Sequence, residues 1–151
     1  MRKDESLFEL YKRVGNDSME SEDLKSKKSM AKFILDVDSR YGNKKSKTLL
    51  DVACGRGKLL LALKGRYKLM GLDIDKNNIN YAKKFVKGVD FSIDNMLNFN
   101  LNQKSDIITC FDAIDHGNEL RREIKRTLSN FYKHLAVGGL LIFNMPLANE
   151  T

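Results

Sequence analysis

Cysteine is scarce in this chain: Cys54 and Cys110 are the only two in 151 residues. They stand far apart in apolar runs, without the paired spacing of a metal site or a disulfide framework. Reduced, buried thiols in a cytoplasmic protein are therefore expected. Proline occurs once, at Pro146, tryptophan is missing, and no repeat or low-complexity tract interrupts the sequence. That composition is the one expected of a soluble globular protein. No apolar run approaches the ~18 residues of a membrane span, so no membrane partner is expected. The opening MRKDESLFELYK has early acids and no apolar core, which argues against a secretory address.

Charge is present in excess of one sign. Lysine and arginine number 27 against 20 aspartates and glutamates, a net +7. The excess is spread along the chain and forms no dense arm. It could draw RNA or DNA, but no aromatic-rich RNA-binding signature accompanies it. A solvated lysine-rich surface is the plainer reading, and nucleic acid is not favoured as a partner. The length suits one domain with one full core.

Hydrophobic spacing predicts a short helix over 5–14 and a longer one over 22–40. On the longer one Met30, Phe33, Ile34 and Val37 share a face, and Gly42 with Asn43 ends it. The pattern then changes. Continuous apolar runs predict strands over 48–53, 67–72, 89–93, 106–111 and 140–145. Helical patterns open at Lys58 and cover 77–86 and 118–136, and Gly138-Gly139 are expected to close the last. Alternating strands and helices predict an α/β fold with a parallel, doubly wound sheet.

Ligands of such sheets lie beyond the carboxyl ends of the strands. Those ends carry Asp51, Asp73, Asp94 and, after the fourth strand, Asp112, Asp115 and His116. The stretch LLDVACGRGKLL places Gly55 and Gly57 in the first strand-to-helix turn. It is not a P-loop, because Val52 and Leu59 stand where a glycine and a hydroxyl are required. It fits a dinucleotide fingerprint poorly, since Leu60 takes the third glycine position and Asp51 would repel a pyrophosphate. A nucleoside with a cationic head and no phosphate fits better. Asp51 would face the positive head, and Gly55 and Gly57 would let the backbone approach without a Cβ. Asp73, 22 residues after Asp51, falls near the ~20-residue interval at which a second-strand acid grips ribose hydroxyls. Asp94 could accept from an adenine amine, and Asp75 is the better helix cap, which leaves Asp73 for a ligand. Carboxylates are thus expected to dominate the rim.

These residues resemble the class I S-adenosylmethionine-dependent methyltransferases, from about residue 48 to residue 145. LLDVACGRG is similar to the family's first motif, usually D-x-G-x-G-x-G, with Ala53 replacing the first glycine. LMGLDID resembles the second-strand motif, with Asp73 in the ribose place and Ile74 beside it. FSIDNML resembles the third, where Asp94, Asn95 and Met96 would frame adenine. DIITCFDAIDH resembles the segment lining the methyl-transfer site, with Cys110 offering its backbone. HLAVGGLLIF is similar to the helix-to-strand-five signature, with Val137 where proline is common. The resemblance implies a Rossmann-like sheet in the order 3-2-1-4-5 with helices on both faces. It further implies a helical cap over 1–45 and a cofactor core over 46–151. S-adenosylmethionine would be the cofactor, with the loop residues Ala53 and Cys54 joining Asp51 and the glycines in holding it, and no metal is implied. DVACG, DNM-x-x-F and C-F-D-A-I look most like branches that methylate small molecules, amino-sugar N-methyltransferases among them.

A methyl acceptor that arrives protonated needs a base. His116 is the best candidate by type, with Asp112 and Asp115 as alternatives that could instead orient a cationic amine. His134, inside an amphipathic helix, is expected to be structural. Two other functions stay open: methylation of RNA or protein, and a non-catalytic module that binds the cofactor or a partner. Relatives usually continue past the fifth strand, so that strand is expected to be an open edge, available to a homo-oligomeric partner.

Overall fold

The computed structural model describes residues 20–42, 47–114 and 120–145. The short helix expected over 5–14 lies outside them, as do Asp115 and His116. Helix α1 spans Glu20–Tyr41, followed by strand β1, Thr48–Val52. Helix α2, Lys58–Ala62, leads to β2, Lys68–Asp73, and helix α3, Lys76–Phe85, leads to β3, Val89–Ile93. Strand β4, Ser105–Cys110, is followed by α4, Leu120–His134, and β5, Leu135–Phe143.

The five strands form one sheet in the order β3-β2-β1-β4-β5, with every neighbouring pair parallel. This is the Rossmann-like order that the resemblance implied. Alternate strand residues feed two cores. Leu49, Leu69 and Ile107 pack with Ala31 and Ile34 of α1, Leu60 of α2 and Ile79 of α3. Leu50, Met70 and Ile108 face the other way, toward Phe131 of α4 and Phe99 of the segment before β4. Strands buried on both sides must be apolar at successive positions, which is why the runs are continuous.

Two details differ from the periodicity. Phe33 is exposed, and α1 meets the core through Ala31 and Ile34, with Met30 and Val37 partly buried beside them. Strand β5 begins at Leu135, directly after the helix, so Gly138 and Gly139 stand within the strand. The register runs from Ser105↔Leu135 to Ile107↔Leu140, leaving a bulge on β5. Gly138 has φ 74°, and a Cβ on Gly139 would meet the carbonyl oxygens of Ala136 and Asp106 at 2.8 Å each. The glycines serve the bulge, where backbone packs on backbone, and do not stop the helix.

The capping and core expectations hold. Asp75 Oδ1 accepts from the N–H groups of Asn77 (2.8 Å) and Asn78 (3.3 Å) at the start of α3. His134 is buried: its Nε2 accepts from the Leu101 N–H at 3.1 Å, and its Nδ1 lies 2.8 Å from the Asn130 carbonyl oxygen. Its ring packs on Phe99 at 4.5 Å between centroids.

Candidate functional site

The chain builds β1, β2 and β3 outward in one direction and then returns to the other side of β1 to lay down β4. The crevice between β1 and β4 is therefore the point where the sheet order reverses, the place where such sheets bind ligands. Asp51 and Thr109 are register partners across that gap. Thr109 Oγ1 donates to Asp51 Oδ1 at 2.7 Å. Asp51 is 4% exposed, and burial pushes its carboxyl up to about 7. The Thr109 hydrogen bond and the positive charge of Lys27 pull the other way, and Asp73 adds to the rise. A carboxylate held like this gains from a cationic partner.

The loop after β1 is left-handed at alternate residues. Ala53, Gly55 and Gly57 have φ of 58°, 56° and 79°. Ala53, standing where the family motif has glycine, thus adopts the backbone that glycine normally supplies. Open space lies beside Gly55, where an added Cβ would meet nothing within 4 Å. Gly57 is packed instead: a Cβ there would lie 2.8 Å from Phe91 Cζ. The loop is tied to β2 by the Cys54 N–H, which donates to the Leu72 carbonyl at 2.9 Å. Asp73 completes the tie: its Oδ2 accepts from the Gly55 N–H at 2.7 Å and its Oδ1 from the Asp75 N–H at 2.8 Å.

A cavity of about 310 Å³ opens over this loop. Asp51, Ala53, Cys54, Gly55 and Asp112, all expected from the sequence, line it. Its wall is more basic than the sequence reading expected, because Lys27 of α1, Arg56 and Lys58 also line it. The Arg56 guanidinium lies 4.5 Å from the centre of the Tyr81 ring. Lys27 is the contribution that sequence reasoning missed. The 22–40 helix was expected near the site, but no spacing singled out one lysine among several.

The other expected residues stand further along the same sheet edge. Asp73 backs the loop, and Ile74 beside it is 69% exposed, an unusual state for a large apolar side chain. Asp94 follows β3, its N–H donating to the Asp73 carbonyl at 3.1 Å. Asp94 Oδ1 accepts from the Asn95 N–H at 2.8 Å, and Asn95 Oδ1 accepts from the Leu97 N–H at 2.9 Å. Met96 is partly buried against the core that holds Phe99. Cys110 is fully buried in that same core, and burial, with Asp51 and Asp112 nearby, pushes its thiol up to about 12. Burial also raises the Cys54 thiol, helped by Asp51 and Asp73, so neither sulfur is a ready nucleophile. Asp112 is exposed, with φ 57°, and is joined to the end of β5. Its N–H donates to Asn144 Oδ1 at 2.6 Å, and Asn144 Nδ2 donates back to Asp112 Oδ1 at 2.7 Å. Among the described residues no group of three histidine, cysteine or acidic side chains could hold a metal ion.

A Rossmann-like sheet with a buried acid and a left-handed glycine loop at its switch point defines a nucleoside-binding class of α/β domain. The chain belongs to the methyltransferase domain family, whose match covers residues 25–150. It is 31% identical over 98 residues to dTDP-4-amino-2,3,4,6-tetradeoxy-D-glucose N,N-dimethyltransferase of Saccharopolyspora spinosa, covering 64% of this chain and 39% of that protein. Among solved structures it is similar to an S-adenosylmethionine-dependent methyltransferase from Clostridium acetobutylicum, with 25% identity and a TM-score of 0.68 over 75% of this chain and 48% of the other. It also shares its fold with the amino pentose methyltransferase CalS10 of Micromonospora echinaspora, at 24% identity and a TM-score of 0.74, over 93% of this chain and 56% of that one. The chain spans between 26% and 48% of the length of the curated relatives it matches.

Proposed function

We propose that the protein is an S-adenosylmethionine-dependent methyltransferase acting on a small-molecule amine or hydroxyl, with an amine on a sugar as the best-supported class. The observation that carries this reading is Asp51, buried at the sheet's switch point beside the open Gly55 backbone and facing the cavity. A phosphate there would meet a carboxylate, whereas an amino group would neutralise it. The names of the Saccharopolyspora enzyme and of CalS10 support an amino-sugar acceptor.

In this reading Asp51 takes the ligand's amino group, and Ala53, Cys54, Gly55 and Gly57 present backbone to its methionine portion. Asp73 serves the ribose while holding the loop in place. The exposed Ile74 gives adenine an apolar wall, Asp94, Asn95 and Met96 bound its far side, and Cys110 contributes backbone only. When bound, S-adenosylmethionine supplies an activated methyl group on a sulfonium. The chain's task is to align that group with the acceptor and to exclude water. His116 is assigned as the base that takes the acceptor's proton, with Asp112 and Asp115 as alternatives that could instead orient a cationic amine, and Asp112 is kept in place by Asn144. The 1–45 segment acts as a cap over the 46–151 core, and the outer side of β5, which pairs only with β4 among the described residues, is the edge through which a second copy would pair. No helix of the described residues is long and apolar enough to cross a membrane. With two free, buried cysteines this favours a cytoplasmic location.

Isothermal titration with S-adenosylmethionine tests the reading. One site is expected, weakened about tenfold or more in Asp51→Asn, which keeps the size of the side chain and loses its charge. Heat of binding that is absent in the parent protein, or unchanged in the variant, overturns it.

A further inference from the structure

Strand β4 carries a hydroxyl in the middle of an apolar run. Ile107, Ile108 and Cys110 are buried, and Thr109 among them is buried as fully. A hydroxyl taken out of water needs a partner. Thr109 finds one on β1: it is the register partner of Asp51, and its Oγ1 donates to Asp51 Oδ1 at 2.7 Å. Asp51 lines the cavity, whereas Thr109 is no part of its wall.

A hydroxyl here does what an apolar residue could not. Its proton is directed at one carboxyl oxygen, which fixes the orientation of the group and favours its charged form over its neutral one. It thereby opposes the burial that drives this carboxyl toward neutrality. Resting on the cofactor reading above, we propose that Thr109 is a positioning residue: it touches no ligand, and it keeps the Asp51 carboxylate ionised and aimed at the ligand's ammonium. Without the hydroxyl the carboxyl takes up a proton, and a neutral acid sets no charge against an ammonium. The other groups acting on or beside this carboxyl come from every neighbouring element. Lys27 belongs to α1, Asp73 to the end of β2 and Cys54 to the loop, with Cys110 and Asp112 at the end of β4. Arg56 and Lys58 complete the charged wall of the cavity. A change at Thr109 leaves all of them in place.

Calorimetry with S-adenosylhomocysteine between about pH 6.5 and about pH 9 tests this on the parent protein, Thr109→Val and Thr109→Ser. Valine keeps the shape and loses the hydroxyl, and serine keeps the hydroxyl. The ligand's own amino group titrates in this range, but equally for every variant, so the ratio of affinities at each pH is the quantity read. Thr109→Val should bind about ten- to a hundredfold more weakly than the parent at the acid end, the range for a hydrogen bond to a charged group. The gap should close to within about threefold at the alkaline end, where the carboxyl ionises unaided. Thr109→Ser should follow the parent throughout, and Thr109→Val added to Asp51→Asn should weaken binding no further. A loss of equal size at every pH, no loss in Thr109→Val, or the same loss in Thr109→Ser overturns the proposal and leaves the cofactor reading intact. A parent protein that does not bind the nucleoside overturns both. Matching thermal unfolding curves establish that folded proteins are being compared, and Thr109→Ala, read in the same way, replaces a valine variant that does not fold.

Discussion

The Asp73 carboxylate and the Gly55 N–H, 18 residues apart in sequence, meet at 2.7 Å. Through this bond the end of β2 fixes the loop that follows β1, while the other oxygen of the same carboxylate turns the chain into α3 through the Asp75 N–H. Removing it should loosen both. Asp73→Ala is expected to cost about 2–3 kcal/mol of stability, because two backbone donors lose a charged acceptor. It should also abolish measurable cofactor binding. Denaturant unfolding and calorimetry on the same preparation would read the two effects, and unchanged affinity would remove the ribose assignment.

Gly55 and Gly57 should respond differently to the same change. Both have positive φ, so alanine costs each about 1–2 kcal/mol in backbone strain. At Gly57 the new Cβ also meets the Phe91 ring at 2.8 Å, which raises the expected loss to about 2–5 kcal/mol. At Gly55 the Cβ projects into open space, so Gly55→Ala should stay near the lower figure and act chiefly on cofactor affinity. Thermal melts of the two variants, measured side by side, would show whether the ranking holds.

Ala53 gives a prediction of the opposite sign. Its φ of 58° strains any residue with a Cβ, and glycine would release that strain. The release is worth about 1–2 kcal/mol, less about 0.4–1 kcal/mol for the greater freedom of glycine in the unfolded chain. Ala53→Gly should therefore stabilise the protein by about 0.5–1 kcal/mol, whereas Ala53→Val should destabilise it. Equilibrium urea unfolding resolves differences of this size.

Asp51 should make stability depend on pH. Burial raises its carboxyl from 3.8 to about 7, so between those values the folded protein holds a proton that the unfolded chain releases. Its contribution is fully present below pH 3.8 and is lost as pH rises through about 7. Asp51→Asn should flatten the corresponding decline in melting temperature. A decline of the same slope in the variant would place its origin elsewhere.

Much of the fold was legible in the sequence because its two periodicities are local. Continuous apolar runs such as 48–53 and 106–111 declare strands covered on both faces, and the spacing of Ile124, Leu128 and Phe131 declares an amphipathic helix. Asp75 could be recognised as a cap because a cap is a bond between near neighbours. The acids at the strand ends were legible for a related reason: a parallel sheet brings all its carboxyl ends to one edge, so position along the chain already implies position in space.

What the sequence by itself determined is the layered α/β frame, the glycine turn and the row of acids beside it. Only the tertiary structure decided which groups meet at that edge. Thr109 on Asp51 and Asn144 on Asp112 are contacts between residues 58 and 32 positions apart, and Lys27 joins Asp51 in lining one cavity from 24 positions before it. Gly138 and Gly139 read as a helix stop until the register across β4 placed them in a bulge. The physical reason is the same in each case: hydrophobic period reports what one segment needs to bury, but a charge or a Cβ finds its partner only after separate segments have packed.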